Sequence, residues 1–163
     1  MKNFKDFNFY KWFKDSKVLD ENKNPLICYH GSRSDFSIFK PSKSIGNQGE
    51  TDQIEGIYFT DSKEGAEFFA LNDEERFLKQ CYLSIQNPFI CLNNNELKQK
   101  LNIETLAEAN SKLKELGYDG LFMEHGFYAK GGPFKLYLAF YPEQIKSIKN
   151  DGSWNIEDKN IYS

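Results

Sequence analysis

CYHGSRSDFSIFKPSKSIGNQGETDQIEGIYFTDS, residues 28–62, carries the reading of the fold at its two ends. Leu26 to Tyr29 is a short apolar run with a proline before it and His30-Gly31 after it, the outline of a buried strand that ends on a histidine. Gly56 to Thr60 is β-branched and aromatic and predicts a second strand. Asp61 and Ser62 follow at once, with Glu64 three residues after Asp61. That capping-box pattern, with Asp61 as N-cap, predicts a helix to about Leu71 with Ala66, Phe69 and Ala70 on one face. Between the strands, Lys40 to Glu55 is rich in Ser, Gly, Asn, Gln and charge, a long exposed loop of the kind that often serves function.

Outward from this stretch the pattern continues. Upstream, apolar residues at 4, 7, 9, 10, 12 and 13 form a rough helical stripe, a helix over about 4–14, and the polar Asp20 to Asn24 ends it. Downstream, strand content returns from Leu78 to Leu92, broken by an Asn87-Pro88 turn, and Asn93 to Asn95 reads as a loop. Leu106, Ala109, Leu113 and Leu116 repeat at helical spacing up to Gly117, a natural C′ residue. Two strands follow, Tyr118 to Glu124 and Phe134 to Tyr141, separated by the loop GFYAKGG. A polar tail over about 150–163 is expected to be ordered through Trp154. These strands are too short and too closely spaced for a doubly wound parallel sheet. The expected fold is α+β, with a split, mostly antiparallel β-sheet core and flanking helices.

At 163 residues the chain suits one domain, 1–163, with a core large enough to need neither metal nor disulfide. Fifteen Phe and nine Tyr against two Trp imply that aromatics carry much of that core. A net charge of −3 offers no basic field for a phosphate backbone, so stable nucleic-acid binding is disfavoured. No apolar run reaches the ~18 residues of a membrane span, and the opening MKNFKDFNFYKWFKD interleaves charges among its aromatics, unlike a signal peptide. Cys28, Cys81 and Cys91 lack metal-ligand spacing. They read as reduced core residues of a cytoplasmic protein, with no metal.

Only two histidines exist, His30 and His125, so any imidazole chemistry must use one of them. A histidine at a strand end is more often a structural hydrogen-bonding group than a functional one, and buried aromatics such as Tyr58 and Phe69 usually fill volume. The company of His30 shifts the weighting. Gly31 beside it lets a ligand approach the backbone N–H and C=O directly, and Tyr58 lies on the next strand with Phe69 eleven positions further on.

That conjunction resembles the ADP-ribosyltransferase fold of the diphtheria-toxin and poly(ADP-ribose) polymerase type, whose signature is His, Tyr and Glu on successive strands. His30-Gly31-Ser32 matches its first strand end, and Gly56 to Asp61 its second strand and helix entry. Bacterial and phage-borne members are closer still. Their phrases appear here in order as Trp12-Phe13, Asp20 to Asn22, Tyr29 to Gly31, Asn87-Pro88, Gly117 to Gly120 and Pro142 to Ser147, over about residues 10 to 156. The resemblance implies NAD as substrate and an unidentified macromolecular acceptor, a protein before a nucleic acid, in a toxin, defence factor or phage-encoded modifier. It implies that His30 hydrogen-bonds a ribose hydroxyl and that Tyr58 and Phe69 sandwich nicotinamide. The backbone of Gly31 would hold the carboxamide beside Ser32, and Ala66 stands where relatives carry an assisting serine.

The third element departs from the pattern. Reading back from Pro142-Glu143-Gln144-Ile145-Lys146, the family glutamate falls at Leu136, and strand parity puts Leu136, Leu138 and Phe140 on one face with Lys135 and Tyr137 on the other. Leucine offers no charge to an oxocarbenium ion, which argues against chain elongation. Glu124 and Glu143 are the candidate substitutes, and His125 is either a partner of Glu124 or a surface loop histidine. Three readings follow: an NAD-dependent mono-ADP-ribosyltransferase, an NAD- or ADP-ribose-binding module without catalysis, and an NAD-using RNA-modifying enzyme.

Overall fold

The structure, a computed structural model, describes residues 4–42, 52–69, 77–127 and 132–163. Helix α1 (Phe4–Phe13) is followed by strand β1 (Cys28–Ser32), β2 (Ile57–Phe59), α2 (Lys63–Phe69), β3 (Phe77–Leu83) and β4 (Pro88–Cys91). Then come α3 (Asn94–Leu101), a 3-10 turn at Leu106–Glu108 that leads into α4 (Ala109–Glu115), β5 (Gly120–Phe127), β6 (Phe134–Ala139) and β7 (Ile145–Ser147). The strands make two sheets, β1-β3-β7 and β2-β6-β5-β4, in which β4 and β5 alone run parallel. The α+β, split and mostly antiparallel architecture is the one expected.

Alternation along the strands assigns each sheet face. Ile57, Phe59, Tyr137 and Ala139 join Cys28, Cys81 and Ile145 of the smaller sheet in one buried cluster. Leu121, Met123, Leu136 and Leu138 point the other way and pack with Leu97, Leu101 and Leu113 of α3 and α4. Each of these leucines, fully buried, contributes about 1.5–3 kcal/mol. All three cysteines are buried, and desolvation pushes their thiols up, that of Cys91 to about 12.

Motif pieces far apart in sequence meet at one corner. Asp119 accepts the N–H groups of Gln86 and Asn87 (2.8 and 2.7 Å), fixing the turn into β4. Gln144 accepts from Phe140 and Tyr141 N–H and donates to the carbonyls of Asp119 and Ser84. Gly117, at φ +87°, closes α4 with a Schellman pair, Gly117 N–H to Lys114 O and Tyr118 N–H to Leu113 O.

Several local expectations need correction. Asn93 to Asn95 is not a loop: the Asn93 side chain accepts the N–H of Glu96 at 3.0 Å and starts α3. The cap of α2 is Ser62 rather than Asp61, its hydroxyl accepting the Gly65 N–H at 3.1 Å. Leu71, the expected helix end, lies outside the described residues, as do most of the 40–55 loop and the centre of GFYAKGG. The ends of the 40–55 loop are joined, Ser42 and Gly56 exchanging backbone hydrogen bonds of 2.8 and 3.0 Å. The strands run Gly120–Phe127 and Phe134–Ala139, and a further strand, β7, follows. The tail is held by more than Trp154, which packs on Phe9 and Trp12. Ile161 is fully buried, and the buried Lys146 ammonium donates to the carbonyls of Asp158, Asn160 and Ser163 at 2.5–2.9 Å.

Candidate functional site

The two sheets touch where β1 runs beside the end of β2. Tyr29 and Thr60 exchange backbone hydrogen bonds of 2.8 and 3.0 Å, which places His30 against the backbone of Tyr58. His30 Nδ1 lies 2.7 Å from the Tyr58 carbonyl oxygen. A carbonyl can only accept, so Nδ1 carries the proton in this contact. Burial pulls the His30 pKa below its ordinary value; the carbonyl contact opposes this and the Lys79 charge adds to it. The ring is therefore neutral at pH 7, and Nε2 presents a lone pair. An imidazole so arranged accepts a hydrogen bond from a hydroxyl and does not donate one from Nε2.

Three phenylalanines enclose the ring. Phe39 meets it edge-on at 4.9 Å between centroids, Phe59 tilts against it at 5.5 Å and Phe36 stands at 6.1 Å. Phe36 and Phe39 belong to the segment after β1 and were not among the residues singled out by sequence. The only signal, an apolar Phe-x-x-Phe in a polar stretch, is too short to read.

Tyr58 occupies the opposite side of β2 from Phe59, on the face that carries Leu138 and Leu136. Its hydroxyl donates to the Ile54 carbonyl, and burial raises its pKa far above the ordinary phenol value, so it stays neutral. The structure thus brings His30 to the backbone of Tyr58, while the Tyr58 ring turns to the other face of the strand. Gly31 and Ser32 continue β1 opposite Leu78 and Phe77. The Ser32 hydroxyl accepts the Ser34 N–H at 3.2 Å. Ala66 is buried on α2, and Phe69 ends that helix with a side chain outside the described residues.

Leu136 is 3% exposed, paired with Met123 across the strand. A Cβ on Gly126 would stand 2.1 Å from the Leu136 Cβ, so the irregular end of β5 crosses this side chain closely enough to require glycine. Glu124 lies near Lys135 at 3.8 Å, more than half exposed, away from the Leu136 face. Glu143 sits near Lys159 at 3.8 Å. His125 is part of β5 rather than a loop, its N–H donating to the Leu92 carbonyl at 2.7 Å. Among the described residues no group of acids, histidines and cysteines is placed to hold a metal ion, and no helix is long and apolar enough to cross a membrane.

No curated protein matches the chain. A family model described as ADP-ribosyltransferase in polyvalent proteins matches residues 20–155, a span that takes in His30, Tyr58 and Leu136 and runs through both sheets. With more than four-fifths of its length matched in this way, the chain belongs to that family of ADP-ribosyltransferases.

Proposed function

We propose that the protein is an NAD-dependent mono-ADP-ribosyltransferase acting on a macromolecule, a protein by preference, in the cytoplasm. The bond between nicotinamide and the ribose C1′ breaks, its electron pair leaving with nicotinamide. An acceptor nucleophile then bonds to C1′ and gives up its proton to solvent water. The ribose carries positive charge at the transition state, so the site must bind that state better than NAD itself. The Nε2 atom of His30 accepts a hydrogen bond from a ribose hydroxyl and fixes the sugar. The backbone of Gly31 grips the carboxamide next to Ser32. Tyr58 and Phe69 stack on nicotinamide over the Ala66 turn of α2. The placement of Tyr58 asks for a rotation of its ring out of its contact with Ile54 when nicotinamide binds.

The observation that carries this reading is the 2.7 Å contact of His30 Nδ1 with the Tyr58 carbonyl oxygen, which leaves Nε2 to accept a hydrogen bond. Single transfer rather than elongation is supported by Leu136 at the position of the family glutamate. A second reading, an NAD- or ADP-ribose-binding module without turnover, is favoured by the same residue: Leu136 is packed in the core, and Glu124 is engaged with Lys135 in solvent. Incubating the protein with adenine-labelled NAD and cell lysate separates them. Label in protein with release of nicotinamide supports transfer. Label in RNA would favour the RNA-modifying class, and saturable binding without release would favour the binding module.

A further inference from the structure

The segment that cages His30 is fastened by a buried lysine on the neighbouring strand. Lys79 sits on β3 directly across from His30 in the β1–β3 register. Its side chain is 8% exposed. The ammonium forms an ion pair with Asp35, donates to the Tyr162 hydroxyl at 3.0 Å, and lies over the rings of Phe36 and Tyr162 at 5.2 and 5.5 Å. Asp35 immediately precedes Phe36. The same segment is tied to the tail by the Ile161 N–H, which donates to the Ser37 carbonyl at 2.9 Å, and by the Ile38–Asn160 bridge.

A buried cation with one well-exposed partner is a poor source of stability, since an apolar side chain of similar volume often serves as well. What it supplies here is a fixed position. Three segments distant in sequence, β3, residues 35–39 and the tail, converge on one ammonium, and two of the rings so placed, Phe36 and Phe39, enclose the imidazole. We infer that Lys79 is a positioning residue for His30: through Asp35 and Tyr162 it clamps Phe36 and Phe39 on the ring, keeping Nδ1 on the Tyr58 carbonyl and Nε2 directed to ligand. The Lys79 charge, which disfavours an imidazolium nearby, acts in the same direction. The identity of the ligand as NAD rests on the proposed function; the clamp does not.

Because the chain has two histidines, nitrogen-15 imidazole spectra contain two spin systems, and His125→Gln assigns them. At pH 7.5 (a value chosen above about 6.5, the unperturbed histidine pKa), wild-type protein should show His30 with a protonated Nδ1 and a bare Nε2. In Lys79→Met the second tautomer should appear and affinity for NAD should fall about tenfold or more, while Lys79→Arg restores both. Leu113→Ala, in the helical layer, serves as a control that loses stability without touching the clamp. If Lys79→Met is destabilised like that control but keeps the wild-type His30 spectrum, Lys79 is merely structural and the inference is overturned. Should Lys79→Met not fold, Asp35→Asn and Tyr162→Phe decide the matter by the same spectra: a changed tautomer ratio supports the clamp, an unchanged one rejects it. Wild-type protein that shows the stated tautomer but binds no NAD would refute the proposed function and leave the clamp standing.

Discussion

Replacing Leu136 by glutamate puts the family carboxylate back into a position that this fold has closed. The leucine is 3% exposed, against Met123 and beneath Gly126. Losing its apolar burial removes about 1.5–3 kcal/mol, and burying a carboxyl group adds about 1–3 kcal/mol even when it is protonated. A total of about 2.5–6 kcal/mol is a large share of a typical stability of about 5–15 kcal/mol. With roughly 2–4 °C per kcal/mol for a chain of this size, Leu136→Glu should melt at least about 5 °C lower. Leu136→Gln should lose a similar amount, since it matches the shape without the charge. The pair separates stability from chemistry. Desolvation raises the new carboxyl pKa in free protein, and the positive nicotinamide ribose lowers it again in the complex. NAD hydrolysis, read as released nicotinamide at a temperature where both variants are folded, should therefore be faster in Leu136→Glu than in Leu136→Gln, increasingly so as pH rises. A loss of less than about 1 kcal/mol would show that Leu136 is not core. Two stable variants with equal hydrolysis at every pH would show that a carboxylate at this strand position does not act on the ribose.

Other expectations concern the cap, the imidazole and the glycine beside it. Ser62→Ala should destabilise by about 1 kcal/mol, and Asp61→Ala by less than about 0.5 kcal/mol, in thermal unfolding; the reverse order would restore Asp61 as the cap. The lowered His30 pKa means that the unfolded chain binds a proton the folded chain refuses once pH falls below the ordinary value of 6.5. Above that value both states are neutral and no penalty applies; below it stability declines toward the folded-state pKa, by up to about 1.4 kcal/mol per pH unit. His30→Gln should flatten that part of the pH–stability curve, and identical curves would contradict the assignment of a neutral, partly buried ring. Gly31→Val should abolish NAD binding in calorimetry while thermal unfolding remains cooperative; unchanged affinity would remove Gly31 from the site.

Features set by local chemistry were legible before any coordinates. The strand that carries His30, the strand-to-helix switch after Tyr58 and the close of α4 at Gly117 depend on neighbours in sequence and were found, although β1 starts at Cys28 and runs on to Ser32, so that His30 is mid-strand rather than at the strand end. Other features depend on distant partners. Asn93 looks like a loop residue until its side chain caps α3, and Leu97 and Leu101, spaced i,i+4, were the available sign of that helix. Ile161 is one of two isoleucines in a polar tail, and nothing in its local sequence marks it for burial or marks Asp158, Asn160 and Ser163 as acceptors for Lys146. In the site, His30 was visible as a motif, but its cage was not, because it is assembled from residues 35–39, Lys79 of β3 and the tail, which are distant in sequence. Parity placed Leu136 on a face with Leu138. It did not reveal that α3 and α4 seal that face.

Single ADP-ribose transfer is tested most directly by the intact mass of an acceptor protein captured from lysate after reaction with NAD. A mass increase of one ADP-ribose unit at each modified site is expected, matched by one free nicotinamide and lost in His30→Ala. A ladder of increments would show elongation without the family glutamate. No increment, despite saturable NAD binding, would contradict transfer and leave a binding module.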